Sequence, residues 1–78
     1  MKTLNQVKVG ETCIVKKVGG IGKIRRRLLD MGVTPGVKIY VRKVAPLGDP
    51  MEITLRNYEL SLRKDEVKII TVEIVEEN

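Results

Sequence analysis

The sequence of 78 residues contains no histidine, no tryptophan and no phenylalanine, and its only cysteine is Cys13. Without histidine, the chain lacks the side chain that ordinarily serves as an acid or a base near neutral pH. Zinc-type and iron-type sites built on histidine or on a cysteine cluster are excluded as well. We therefore predict a protein that is not an enzyme and that holds no metal ion or cofactor.

Long hydrophobic runs are also missing. No stretch approaches the ~20 apolar residues that span a bilayer, and "MKTLNQVKVGE" at the N-terminus lacks a signal-peptide core. A lone cysteine excludes a disulfide within the chain, which is typical of proteins in reducing compartments. We expect a cytoplasmic protein without direct membrane insertion, in which residues 1–78 form a single domain around one small core.

Aromatic residues are scarce, whereas positive charge is concentrated in one part of the chain. Only Tyr40 and Tyr58 are aromatic, and residues 16–43 hold nine basic side chains and one acid, for a net charge of +8. Residues 44–78 carry a net charge of −4. The basic segment favours an anionic partner. A nucleic-acid-binding β-barrel is one interpretation, but such barrels add stacking aromatics to their basic groove, so nucleic acid is the less favoured partner.

Alternating apolar and polar residues predict a mainly β protein. Such alternation is typical of half-buried antiparallel strands, and five strands with short turns favour a small barrel. Asn57 tolerates positive φ, which favours a tight hairpin between two of the strands, and residues 63–66 suit one helical turn. In the last run the phase slips between Ile69 and Ile70, which predicts a bulge or burial on both faces. The five predicted strands cover Thr12–Val18, 37–42, 51–56, 58–63 and 67–75.

One short α-helix is expected after the first long strand. Its apolar residues are spaced three, four and three apart, which places them on one helical face. Gly32 follows as a left-handed cap would, and Pro35 prevents further helix. The residues of this apolar face are Ile21, Ile24, Leu28 and Met31.

Four residues are candidates for contacting a protein partner, namely Arg25, Arg26, Leu29 and Leu47. The two arginines lie outside the apolar face of the helix, where they either form a solvated surface or meet a partner. Leu29 lies roughly 120° from the centre of that face, so it either packs under a loop or anchors an interface. Leu47 stands in the loop "PLGDP", where it either folds inward or contacts a partner.

Three stretches of the chain stand out together, namely "RLLDMGVTPG" from Arg27, "VAPLGDPMEI" from Val44 and "LSLRKDEVKIITV" from Leu60. They resemble the three signature blocks of the ferrous iron transport protein A family, FeoA. Together with "LNQVKVGETCIV" they extend over almost the whole chain, in the order and spacing of that family. The resemblance implies a small SH3-like barrel and a bacterial cytoplasmic accessory protein that docks on the ferrous iron permease FeoB and regulates uptake or nucleotide turnover.

Two further interpretations accompany this resemblance. The same barrel forms the C-terminal module of iron- and manganese-dependent repressors, so a stand-alone relative of that module is an alternative, although no helix-turn-helix segment is present. The family name suggests transition-metal binding, but a chain without histidine and with one cysteine offers too few good ligands for a tight Fe(II) site. We expect a monomer or a weak homo-oligomer.

Overall fold

The computed structural model describes residues 1–76, which form six antiparallel strands, two helices and one 3₁₀ turn. The strands make one sheet in the order β1-β6-β2-β3-β4-β5. The bounds are β1 Lys2–Thr3, the 3₁₀ turn Leu4–Gln6, β2 Thr12–Val18, α1 Lys23–Asp30, β3 Lys38–Val44, β4 Met51–Leu55, β5 Tyr58–Leu62, α2 Lys64–Val67 and β6 Ile70–Val75.

The predicted count of five strands is wrong by one, because β1 adds a sixth. Lys2 and Thr3 pair with Val72 and Thr71 of β6. A strand of two residues is too short to show alternation, so the sequence pattern could not reveal it. The 3₁₀ turn that follows begins at Leu4, whose side chain is buried in the core.

The last strand is shorter than predicted. It begins at Ile70 instead of residue 67, because Val67 ends α2 and Ile69 lies in the connection. The change of phase in the apolar pattern between Ile69 and Ile70 therefore reflects the passage from helix α2 to strand β6. It is not a bulge within a strand. The predicted helical turn near residues 63–66 is confirmed as α2, which is displaced by one residue.

The sheet has irregularities at two other places. The register of β2 against β6 shifts between Val15 and Lys17, and the register of β3 against β4 shifts between Val41 and Lys43. Such bulges bend a strand and increase its twist, which curls the sheet around its core. The hairpin between β4 and β5 closes through Arg56 and Asn57, which have φ of 47° and 69°, so the predicted tight turn is confirmed.

The core is aliphatic and comes mainly from the alternating strand positions. Helix α1 adds Leu28, which is fully buried, and Ile24 is half-buried. None of the helices within residues 1–76 is long and apolar enough to cross a membrane. The buried apolar residues are Leu4, Val7, Cys13, Val15, Val18, Leu28, Val33, Val37, Ile39, Val41, Met51, Ile53, Leu55, Leu62, Val67, Ile70 and Val72.

Helix α1 is shorter at its start than the apolar spacing predicted. It begins at Lys23, and Ile21 lies in the preceding loop, where it is 88% exposed. The predicted cap is present at the other end, since Gly32 has φ of 95° and its N–H donates to the Leu29 carbonyl. Tyr58 of β5 donates its hydroxyl to the Met31 carbonyl, so the end of α1 is attached to the sheet.

Candidate partner-binding surface

The three adjacent arginines of α1 have different surroundings. Arg25 Nε donates to the Val18 carbonyl at 3.3 Å, which holds this side chain against the end of β2. Arg27 Nη1 lies 3.2 Å from Glu66 Oε2 on α2. The Arg26 side chain is exposed and forms no hydrogen bond or ion pair with any residue in the range 1–76. Of the two predicted contact arginines, Arg26 therefore has the guanidinium that is free for a partner.

The two predicted contact leucines also differ. Leu29 is half-buried and packs against the core, so only part of its side chain is available to a partner. Leu47 is 88% exposed and does not fold inward. Its loop is closed by hydrogen bonds from the Gly48 N–H to the Ala45 carbonyl at 2.7 Å and from the Ala45 N–H to the Pro50 carbonyl at 3.1 Å. The loop therefore presents Leu47 to solvent on a defined turn.

Ile21 is a second exposed apolar residue, which the sequence reasoning placed in the helix. It stands between Gly20 and Gly22, which have φ of 77° and 68°. These left-handed conformations favour glycine and end any helical path before Lys23. The glycines on both sides of Ile21 were the signal that could have assigned this residue to a loop.

The loops of Ile21 and Leu47 are attached to opposite ends of α2. Asp49 Oδ1, in the Leu47 loop, accepts a hydrogen bond of 3.1 Å from the Lys64 N–H, at the start of α2. The Gly19 N–H, in the Ile21 loop, donates to the Ile69 carbonyl at 2.7 Å, just after α2. Both loops that carry the exposed apolar side chains therefore lie against α2 or the connection that follows it. We call the loops 19–22 and 45–50 together with α2 the α2 surface.

Glu66 of α2 is the one charged residue in the described range that is buried, with 2% of its surface exposed. Its Oε1 accepts a hydrogen bond of 2.8 Å from the Arg63 N–H and so satisfies a donor at the start of α2. Its Oε2 approaches Arg27 as a charge, but the guanidinium N–H is not aimed at it, so this oxygen has no hydrogen bond within residues 1–76. The carboxylate thereby fixes α2 against α1.

The fold pairs the basic segment of the sequence with the acidic one. The ion pairs are Lys16 with Glu73 at 3.6 Å, Arg27 with Glu66 at 3.2 Å, and Arg42 with Glu52 at 3.9 Å and with Glu59 at 3.2 Å. Each of them joins a cation from residues 16–43 to an acid from residues 44–78. The charge asymmetry of the sequence is therefore partly compensated in space.

Cys13 is buried in the core, and this burial, together with the charge of Glu11, raises the pKa of its thiol to about 11. The thiol is therefore protonated at neutral pH, whereas the thiolate is the form that ligates metals and reacts. Within residues 1–76, no three side chains of the types His, Cys, Asp and Glu lie together as a metal site requires.

Comparison with known proteins places these features in a family. The FeoA domain family matches residues 2–74. A Fe(2+) transport protein A/Fe(2+) transporter FeoB fusion protein of Porphyromonas gingivalis is 35% identical over 75 residues. The match covers 96% of this chain and 9% of the fusion protein, so the chain spans a small part of that relative.

Solved structures agree with this match. The NMR structure of an FeoA-like protein from Clostridium acetobutylicum has a TM-score of 0.89 and 42% identity, and covers 99% of this chain and 90% of that one. FeoA of Stenotrophomonas maltophilia, solved with zinc and described as an SH3 domain protein, has a TM-score of 0.82 at 23% identity and covers 94% and 91%, which shows the fold alone. The predicted SH3-like fold is confirmed, and the chain belongs to the FeoA domain family.

Proposed function

We propose that this FeoA-family chain is a non-enzymatic regulatory module of ferrous iron uptake that binds the cytoplasmic region of a FeoB permease. The observation that carries the proposal is the Porphyromonas gingivalis relative, in which an FeoA sequence and FeoB form one polypeptide. Fusion raises the effective concentration of one domain at the other, so even a weak contact between them is populated. A separate chain needs a binding surface to reach the same position.

The α2 surface has the properties of such a binding site. Ile21 and Leu47 are each 88% exposed, and both stand on loops that backbone hydrogen bonds hold in place. Burying a branched apolar side chain stabilises a complex by roughly 1.5–3 kcal/mol. Because the loops are already ordered, little conformational entropy is lost when a partner covers them. On the adjacent helix, Arg26 has no hydrogen bond or ion pair within residues 1–76, and Arg25 is held beside it.

The test measures binding of the purified chain to the purified cytoplasmic domain of FeoB from the same organism. The single variants Leu47→Asn and Ile21→Asn should each weaken binding about tenfold or more, which corresponds to about 1.4 kcal/mol. Their melting temperatures should stay near that of the parent, because neither side chain packs in the core. Val9→Asn is a matched control for Ile21→Asn, since Val9 is also exposed but precedes the start of β2, whereas the Ile21 loop follows the end of that strand.

The outcomes separate the interpretations. Normal binding by both variants would reject the α2 surface, and absence of binding by the parent chain would reject the proposed function. Leu29→Asn is expected to lower the melting temperature, because Leu29 packs against the core. Affinity for DNA or RNA that falls linearly with the logarithm of salt concentration would instead support the nucleic-acid interpretation.

A further inference from the structure

A cavity of about 220 Å³ lies between α1 and α2, beside the α2 surface. Its walls combine cations, acids and one apolar side chain, and the helices that form them are held together by Arg27 and Glu66. Small-molecule sites usually occupy ~300–1,000 Å³, so this cavity suits one or two side chains better than a nucleotide or another large ligand. The lining residues are Lys23, Ile24, Arg27, Arg63, Asp65 and Glu66.

The buried carboxylate indicates one property of the occupant. Glu66 has only 2% of its surface exposed, and its Oε2 has no hydrogen bond within residues 1–76. Buried polar atoms normally have a hydrogen-bond partner, and an ionised oxygen gains the most from one. Glu66 Oε1 is already occupied by the Arg63 N–H. Glu66 Oε2, which meets Arg27 as a charge but accepts no hydrogen bond within residues 1–76, therefore fits a ligand that donates an N–H or an O–H.

The remaining charges indicate a second property. Three cations line the cavity against two acids, and Arg27 and Glu66 already face each other. Lys23 and Ile24 also begin α1, whose N-cap residue is Gly22, and no side chain within residues 1–76 caps the start of that helix. Free N–H groups and the helix dipole attract negative charge. The Lys23 side of the cavity therefore fits an anionic group.

We infer that this cavity binds an acidic residue in a segment of the FeoB-type partner, an inference that rests on the proposed function. The carboxylate of the partner residue would lie near Lys23, Arg63 and the start of α1, and a backbone N–H of the same segment would donate to Glu66 Oε2. A peptide supplies both groups a few ångströms apart, whereas a basic segment would meet three cations. The cavity is lined by Lys23, two residues after Ile21, and by Asp65 and Glu66 of α2, so it borders the α2 surface.

The first experiment uses N-acetyl-glutamate N-methylamide as a probe and its glutamine analogue as a control. The probe is titrated into the ¹⁵N-labelled chain, and amide chemical shifts are followed. The acidic probe should shift the amides of Lys23, Ile24 and Glu66 in a saturable manner, and the glutamine analogue should not. Equal shifts with both compounds, or no saturable shift at these amides, would overturn the inference.

Variants of the chain test the two recognition groups separately. Lys23→Gln and Glu66→Gln should each weaken probe binding about fivefold, and both substitutions nearly preserve side-chain length. The amide oxygen that Glu66→Gln introduces can still accept from the Arg63 N–H, and chemical shifts elsewhere in the spectrum report whether the fold is intact. Lys38→Gln removes the same charge from an exposed site on β3 and should leave probe binding unchanged.

The second experiment measures the same variants against the cytoplasmic domain of FeoB. If the inference holds, Lys23→Gln and Glu66→Gln weaken that complex as Leu47→Asn does. If Leu47→Asn weakens it and neither cavity variant does, the inference fails while the proposed function stands. If the parent chain does not bind FeoB, the proposed function fails and the partner assignment fails with it, and saturable probe binding then reports a site for a free acidic amino acid only.

Discussion

The ion pair between Arg27 and Glu66 should respond unequally to removal of its two members. Arg27 has 52% of its side chain exposed and Glu66 has 2%. Replacing Arg27 with Gln leaves an ionised carboxylate buried without a counter-charge. Replacing Glu66 with Gln leaves a guanidinium that water already solvates. We therefore predict that Arg27→Gln destabilises the fold more than Glu66→Gln does.

The expected difference in free energy of unfolding between the two variants follows from the exposed fractions of the Arg27 and Glu66 side chains. Removing one partner of a fully buried pair costs about 3–5 kcal/mol, while exposed pairs contribute about 0–1 kcal/mol. Arg27 is half exposed, so solvent screens part of the interaction, and we expect Arg27→Gln to cost about 2 kcal/mol. For a domain of this size, that cost lowers the melting temperature by roughly 8–16 °C. Glu66→Gln keeps the acceptor for the Arg63 N–H and should cost under about 1 kcal/mol.

Urea unfolding at neutral pH, followed by far-ultraviolet circular dichroism, measures these free energies without a tryptophan probe. The double variant Arg27→Gln/Glu66→Gln should be more stable than Arg27→Gln alone, because it buries no charge. Lys16→Gln is the matched control, since the Lys16 and Glu73 side chains are both exposed and it should cost under about 0.5 kcal/mol. The reasoning is refuted if Arg27→Gln lowers the free energy of unfolding no more than Lys16→Gln does, or less than Glu66→Gln does.

Two further predictions concern the backbone and the core. Gly32→Ala should cost about 1–2 kcal/mol in thermal unfolding from its φ of 95° alone, and more because a Cβ would stand 3.1 Å from Tyr58 Oη and 3.3 Å from Leu55 Cδ2. Gly48→Ala is the control, since Gly48 has φ of 81° and an added Cβ would meet no atom within 4 Å, so this variant measures the cost of the backbone conformation alone. If both variants lose the same free energy of unfolding, the Cβ contacts at Gly32 contribute nothing. The raised pKa of Cys13, about 11 against 9.0, means that the unfolded chain loses the thiol proton first as pH rises. The free energy of unfolding should therefore fall between pH 9 and 11 by about 2–3 kcal/mol relative to that of Cys13→Ala. Urea unfolding at several pH values measures this, and the same pH dependence in both proteins would contradict the effect of burial.

Most of the sheet could be predicted because its signals are local. Apolar residues at every second position indicated which faces of β3 and β4 are buried, and Asn57 marked the hairpin between β4 and β5. The glycine at position 32 marked the end of α1 in the same way. Strand β1 and the start of β6 were not predictable, because they depend on pairing with residues distant in the chain and not on periodicity.

The candidate surface was predictable only in part. Leu47 was identified because an apolar residue between turn-forming residues has few local roles, and it is exposed. Ile21 was missed because its spacing to Ile24 matches a helix, while the positive φ of Gly22 ends that helix first. The burial of Glu66 was missed as well, since a carboxylate becomes a tolerable core residue only when a distant cation such as Arg27 arrives beside it.

The folded chain presents less free positive charge than the +8 segment of its sequence suggests. Ion pairs with Glu73, Glu66, Glu52 and Glu59 engage three cations of the +8 segment, and they are spread over α1 and the sheet. Six cations of that segment have no ion pair within residues 1–76, namely Lys17, Lys23, Arg25, Arg26, Lys38 and Lys43. A polyanion such as nucleic acid needs a row of cations along its backbone. Of these six cations only Lys23 lines the cavity, and this single cation two residues after Ile21 matches a partner with one acidic residue and adjacent apolar side chains.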